Sequence, residues 1–193
     1  MYYSREEYNN EYLKIVKPAS DKFIFIKVDD KKIEKIKNLT EEVTGVKKNE
    51  LHHKNDNARE FKRIYIGFLG EAALEAYFNV DIIDWTKGKS EKYNHPDLTS
   101  LGIDVGIKTS EYLNFPIIFK KNTYSQIICI RYKLNGVYIC GLATKDILNT
   151  YQNDNLILSP GLRQKGTKTA FTGYANLISL KNIKKIEEIK KLI

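Results

Sequence analysis

The segment "HPDLTSLGIDVGIKTS", residues 95–110, sets Asp97, Asp104 and Lys108 among glycines in an otherwise apolar run. A strand over 101–109 projects Asp104, Gly106 and Lys108 to one face and Ile103, Val105 and Ile107 to the other, because successive side chains alternate. The apolar face packs on a helix. The opposite face then offers a carboxylate, a gap and an ammonium in a row. Such a pair on its own is also what a solvated surface presents, worth about 0.5 kcal/mol. Two neighbours point instead to chemistry: Asp97, which follows Pro96, and Glu71, on a helix whose Gly67 and Gly70 let a strand approach. Three carboxylates beside one lysine repel one another unless a cation joins them. Hard oxygen donors at that density suit Mg²⁺ or Mn²⁺, which keep bound water and leave positions for phosphate oxygens. A lysine there can position or deprotonate a water and offset charge growing on phosphorus oxygens. Phosphodiester hydrolysis needs that combination.

The elements that position these residues follow from periodicity. "KFIFIKV" (22–28) alternates as a strand, and "DDKKIEKIKNLTEEVTG" spaces Ile33, Ile36, Leu39 and Val43 as a helix that Gly45 should stop. The polar connector "ELHHKNDN" supplies Asp56 or Asn57 as a cap for the longest helix, about 58–78. Its apolar face is Phe61, Ile64, Tyr65, Phe68, Ala72 and Leu74, and each mid-helix glycine should cost ~1 kcal/mol relative to alanine. Strand signals follow at "VDIIDW" (80–85), "LGIDVGIKT" (101–109), "SQIICIRY" (125–132) and "GVYICGLA" (136–143), the last two joined by an Asn135-Gly136 turn. "TKDILNTY" reads as a short helix capped by Thr144, and "LKNIKKIEEIKKLI" as a closing basic amphipathic helix. The sum is an α/β (α+β) fold: one mixed sheet flanked by helices. A single domain over 1–193 is expected, with an N-terminal part (1–56), a core (58–150) and a basic loop and helix (151–193).

In these features the chain resembles the PD-(D/E)xK, or restriction-endonuclease-like, nucleases of phage and restriction type. The resemblance spans roughly 58–150 and rests on Glu71 in "GFLGEAALEAYF", Asp97 in "HPDL", Asp104 and Lys108 in "GIDVGIKTS", Gln126 in "YSQIICI", and the later strand and helix "VYICGLATKDIL". It implies metal ligation by Asp104, Asp97 and Glu71, a catalytic Lys108, and Gln126 in support. It further implies a Mg²⁺-dependent endonuclease acting on DNA, duplex first, as a homodimer with one site per strand, plausibly in restriction. One departure stands out: the acid two residues before the lysine is Gly106. Either Asp97 is the first aspartate and Asp104 reaches the metal from the same face, or Asp104 takes that role, Glu71 supplies the missing acid and Asp97 is a loop residue. In a third reading the chemistry is lost, and the scaffold only binds nucleic acid or protein.

The remaining signals are weighed against these. His52 and His53 resemble the opening of an HNH nuclease, but only His95 is left in the chain to follow them. His52 and His53 are read as lying near the mouth of a cleft, touching phosphate or nothing, and His95, beside Pro96 and Asp97, as a loop histidine that could reach substrate. "GLRQKGTKTAFTGY" (161–174) carries Arg163, Lys165 and Lys168 ahead of Phe171 and Tyr174, a basic loop suited to a nucleic-acid backbone. It lacks the GxxxxGK[ST] of a nucleotide hydrolase. The chain of 193 residues bears a net charge of +8, which favours a polyanionic partner, with RNA as a substrate left open. Cys129 and Cys140 lie in apolar runs and read as reduced thiols of a cytoplasmic protein, and no apolar run reaches the ~20 residues of a membrane helix.

Overall fold

The computed structural model describes residues 3–47, 57–86 and 96–193. Helix α1 (Arg5–Val16) opens with a reciprocal capping box between Ser4 and Glu7. Strand β1 (Ile24–Lys27) leads to α2 (Asp30–Lys47), where the Asp29 carboxylate accepts from the Lys31 and Lys32 amides. Helix α3 spans Asn57–Phe78. Strands β2 (Val105–Glu111), β3 (Ile117–Phe119), β4 (Ser125–Tyr132) and β5 (Gly136–Ala143) follow. The chain closes through α4 (Lys145–Thr150), capped by Thr144, then β6 (Gln152–Asn153), α5 (Pro160–Lys165) and β7 (Lys168–Phe171).

A four-stranded mixed sheet runs in the order β1-β5-β4-β2, with β2 and β4 parallel and the other pairs antiparallel. A smaller antiparallel sheet has the order β3-β7-β6. One face of the main sheet packs Ile127, Cys129, Val137 and Ile139 against Ile36 of α2 and Leu69 and Ala73 of α3. The other face packs Ile128, Ile130 and Cys140 against Tyr12 of α1, Phe115 and Phe171. The sheet is thus flanked by helices on one side and by a helix plus the small sheet on the other. The N-terminal part is built into this frame, since β1 is an edge strand and α2 packs on α3. Both cysteines are buried free thiols on opposite sheet faces.

Five expectations are corrected. Residues 80–85 form no strand: the buried Glu75 carboxylate accepts from the amides of Ile82 and Ile83, both at 2.8 Å, and takes the place of a strand partner. The β4–β5 turn comprises Lys133, Leu134 and Asn135, with Lys133 and Leu134 at positive φ, while Gly136 already belongs to β5. Gly136 is needed for another reason: a Cβ there would lie 2.7 Å from the ring of Phe25. The C-terminal segment is a 3₁₀ turn over Ile186–Lys191. Isoleucines at 183, 186 and 189 recur every three residues, which matches three residues per turn better than 3.6. The basic 161–174 stretch is not all loop, because it contains most of α5 and all of β7. Gly45, expected to stop α2, lies inside it.

Candidate active site

Gly70 decides how close α3 comes to β2. A Cβ at 70 would sit 1.9 Å from Thr109 Oγ1 and 3.3 Å from Ile107 Cγ2, so only glycine lets the helix lie on the strand at this level. Gly67 has no such neighbour within 4 Å, so the expectation shared by the two glycines holds at Gly70 alone. Glu71 follows Gly70 and is half-buried beside the strand. Burial first, and then the charges of Asp97, Glu75 and Asp84, raise its pKa well above the usual carboxylate range.

Asp97 is placed by a short closed loop. Leu98 and Ile103 are buried anchors. Leu98 N donates to Val105 O at 3.1 Å, and Ile103 N donates to Leu98 O at 3.1 Å. A 3₁₀ turn over Thr99–Leu101 and Gly102 at φ 68° close the loop between them. The chain therefore doubles back, and the Asp97 carboxylate accepts a hydrogen bond from the Ile107 amide. Asp97 is exposed as a residue, but the atoms packed around its carboxylate raise its pKa, while the Ile107 N–H and the nearby Lys108 oppose the shift. Asp97 is tied to the strand that carries the lysine.

The strand itself starts at Val105, one residue after Asp104. Asp104 is exposed there, and its charge is felt at Tyr124. The parallel register sets Gly106 opposite Gln126 and Lys108 opposite Ile128. Neighbours in register share a face. Gly106, Lys108 and Gln126 thus look into one pocket of about 140 Å³, whose lining also includes Asp97, Tyr124 and Lys168. Gln126 is 8% exposed, and its Oε1 has no hydrogen-bond partner. A buried amide oxygen left unpaired costs about 1–3 kcal/mol, so Oε1 can accept from a donor that enters the pocket, water included.

The cationic side of the pocket is equally unbalanced. Burial, reinforced by Lys168 and Arg63, lowers the Lys108 pKa to about 8, against the opposing pull of Asp97. Lys168, on β7 of the small sheet, is lowered by burial and then by Arg63 and Lys165. Of the three basic residues expected to touch nucleic acid, Lys168 reaches the pocket and Lys165 is exposed near it. Arg163 donates from Nε to the Ile157 carbonyl and so serves its own segment. His52, His53 and His95 lie outside the described residues.

Among the described residues no three His, Cys, Asp or Glu side chains gather around a point that could hold a metal ion. Glu71, Asp97 and Asp104 therefore do not form one three-carboxylate cage. Asp97 is one of three carboxylates, with Glu75 and Asp84, whose charge bears on Glu71, and Glu71 is not among the residues that line the pocket around Gly106.

The position of the missing acid has a local explanation. A Cβ at Gly106 would stand 2.8 Å from the ring of Tyr124 and 3.5 Å from Asp97 Oδ2. Tyr124 thus fills space that an acidic side chain at 106 would need. Tyr124 and Arg63 are the site residues that sequence reasoning missed. Tyr124 stands two residues before Gln126, but its approach to Gly106 depends on the β2–β4 register, which no local pattern encodes.

Comparison with family models, with curated protein sequences and with solved structures gave no match. Among the described residues no helix is long and apolar enough to cross a membrane.

Proposed function

We propose that the chain is a Mg²⁺- or Mn²⁺-dependent endonuclease that hydrolyses phosphodiester bonds in DNA, on a restriction-endonuclease-like fold. The observation that carries this reading is the pocket around Gly106, where Asp97, Lys108, Lys168 and the unpartnered Gln126 oxygen face one small volume. The parallel β2–β4 pair with α3 packed on β2 supports the fold assignment. Asp97 and Glu71 would hold the ion, which supplies polarisation of the phosphate and a more acidic bound water. Lys168 binds a phosphate oxygen from the side of the small sheet. Lys108, with a pKa near 8, is mostly protonated at neutral pH. It holds the attacking water and offsets charge developing at phosphorus. At mildly alkaline pH a growing fraction is neutral and can accept a proton from that water. Gln126 Oε1 orients the same water by accepting its second hydrogen.

A second reading, a non-catalytic nucleic-acid-binding domain, is favoured by Gly106 and by the ring that fills its space. One experiment separates the two. Plasmid and single-stranded DNA are incubated with Mg²⁺, Mn²⁺ or EDTA, beside Lys108→Ala. Metal-dependent cutting that Lys108→Ala abolishes supports the nuclease. No cutting of either substrate, with tight salt-sensitive binding retained, selects the binding domain.

A further inference from the structure

Next to the pocket, Phe119 at the end of β3 is 52% exposed. It stands directly opposite Lys168 in the β3–β7 register, so the two side chains share a face. The Lys168 ammonium lies 5.1 Å from the Phe119 ring centre, and both residues line the pocket that holds Lys108 and Gln126. An exposed ring beside a cation at a phosphate-sized pocket offers what an unpaired nucleotide requires: a face for its base and a charge for its backbone. A base stacked in a duplex has no free face to give the ring. The ring also cannot enter a closed helix without unstacking it, at a cost of a few kcal/mol per step.

We infer that the strand entering this site is DNA unpaired beside the phosphate held by Lys108 and Lys168, with one base stacked on Phe119. This deepens the nuclease reading above and rests on its placement of the phosphate. That the strand is DNA rather than RNA comes from the nuclease reading above, since the pocket lining joins apolar Ile117 to the polar groups of Tyr124 and Gln126. The Gln126 oxygen is a second element aimed at a ligand in the same volume. Lys165, exposed beside Lys168, adds positive charge on that side, whereas Arg63 is engaged by Glu60.

The test is direct binding in EDTA, where no cutting occurs. A fluorescein-labelled single-stranded DNA, its blunt duplex and the RNA of the same sequence are titrated by anisotropy with wild type, Phe119→Ala and Phe119→Trp. Thermal melts of each variant control for folding. The expected result is single-stranded DNA bound several-fold tighter than duplex or RNA. Phe119→Ala should lose about tenfold on the single strand only, the scale of one base–aromatic stack. Phe119→Trp should retain it. Equal affinity for the duplex, equal affinity for RNA, or no effect of Phe119→Ala in a folded variant would overturn the inference. Because binding is read without metal, a chain that binds unpaired DNA but never cuts it would refute the nuclease and leave this inference standing. A chain that cuts only intact duplex would do the reverse.

Discussion

Lys108 gives the most quantitative handle on the site, through stability rather than turnover. Its pKa falls from an ordinary 10.5 to about 8 because the folded protein buries the ammonium beside Lys168 and Arg63. At 1.36 kcal/mol per pH unit, that drop means the fold opposes the charged lysine by about 3 kcal/mol. The direction follows from proton counts. Between about pH 8 and 10.5 the unfolded chain binds the proton and the folded chain does not, so stability rises with pH across that window. Below about 8 both states are protonated and the full penalty is present. Lys108→Met keeps the length of the side chain and removes the charge. Water reaching the open pocket screens part of the effect, so the variant should melt about 5 °C above wild type at pH 7, given 2–4 °C per kcal/mol for a chain of this size. The gap should narrow as pH rises and close near pH 10.5. The same variant should lose metal-dependent DNA cleavage. Differential scanning calorimetry from pH 6 to 10.5 makes the comparison. A variant that melts at or below wild type at pH 7, or a gap that does not change with pH, would refute the burial of the Lys108 ammonium.

Two further predictions test the frame around it. Gly70→Ala puts a Cβ 1.9 Å from Thr109 Oγ1 and should destabilise by about 1–3 kcal/mol in urea titrations while impairing cleavage. Gly67→Ala, with open space at that position, should instead stabilise by up to about 1 kcal/mol. Glu71→Gln removes a carboxylate whose pKa is raised by burial and by Asp97, so it should raise the melting temperature at pH 7 to 8. That gain should shrink as acid protonates Glu71 in the wild type, because a raised carboxylate pKa destabilises only above the range in which it titrates.

Local periodicity made α2, α3 and the strands β1, β4 and β5 legible, because each buries one stripe against a neighbour. Ile33, Ile36, Leu39 and Val43 were readable as a core face for that reason, and all four are buried. Asp97, Lys108 and Gln126 were legible as types, but what joins them is not local. Gly106 faces Gln126 only because β2 pairs in parallel with a strand that begins 20 residues later in the register. Residues 80–85 looked like a strand, yet Glu75 satisfies their amides from a helix one turn away. A carboxylate standing in for a sheet partner leaves no trace in the hydropathy of the segment it serves. Asp104 had the right residue type for a ligand, but the strand starts one position too late to carry it.

The hydrogen bond from Ile107 to Asp97 has a consequence for how this protein survives in solution. Strand β2 lies at the edge of the main sheet, and among the described residues no further strand pairs with its outer side. An open edge displays unpaired amides, an invitation to aggregation that proteins commonly blunt with charge. Here the blunting charge is Asp97 itself, set across an outward amide beside Lys108. The residue proposed to serve the chemistry is therefore also the guard of the edge. A chain that trades Asp97 for a neutral residue gives up both duties at once, and its silence in an activity assay would be mixed with its tendency to associate.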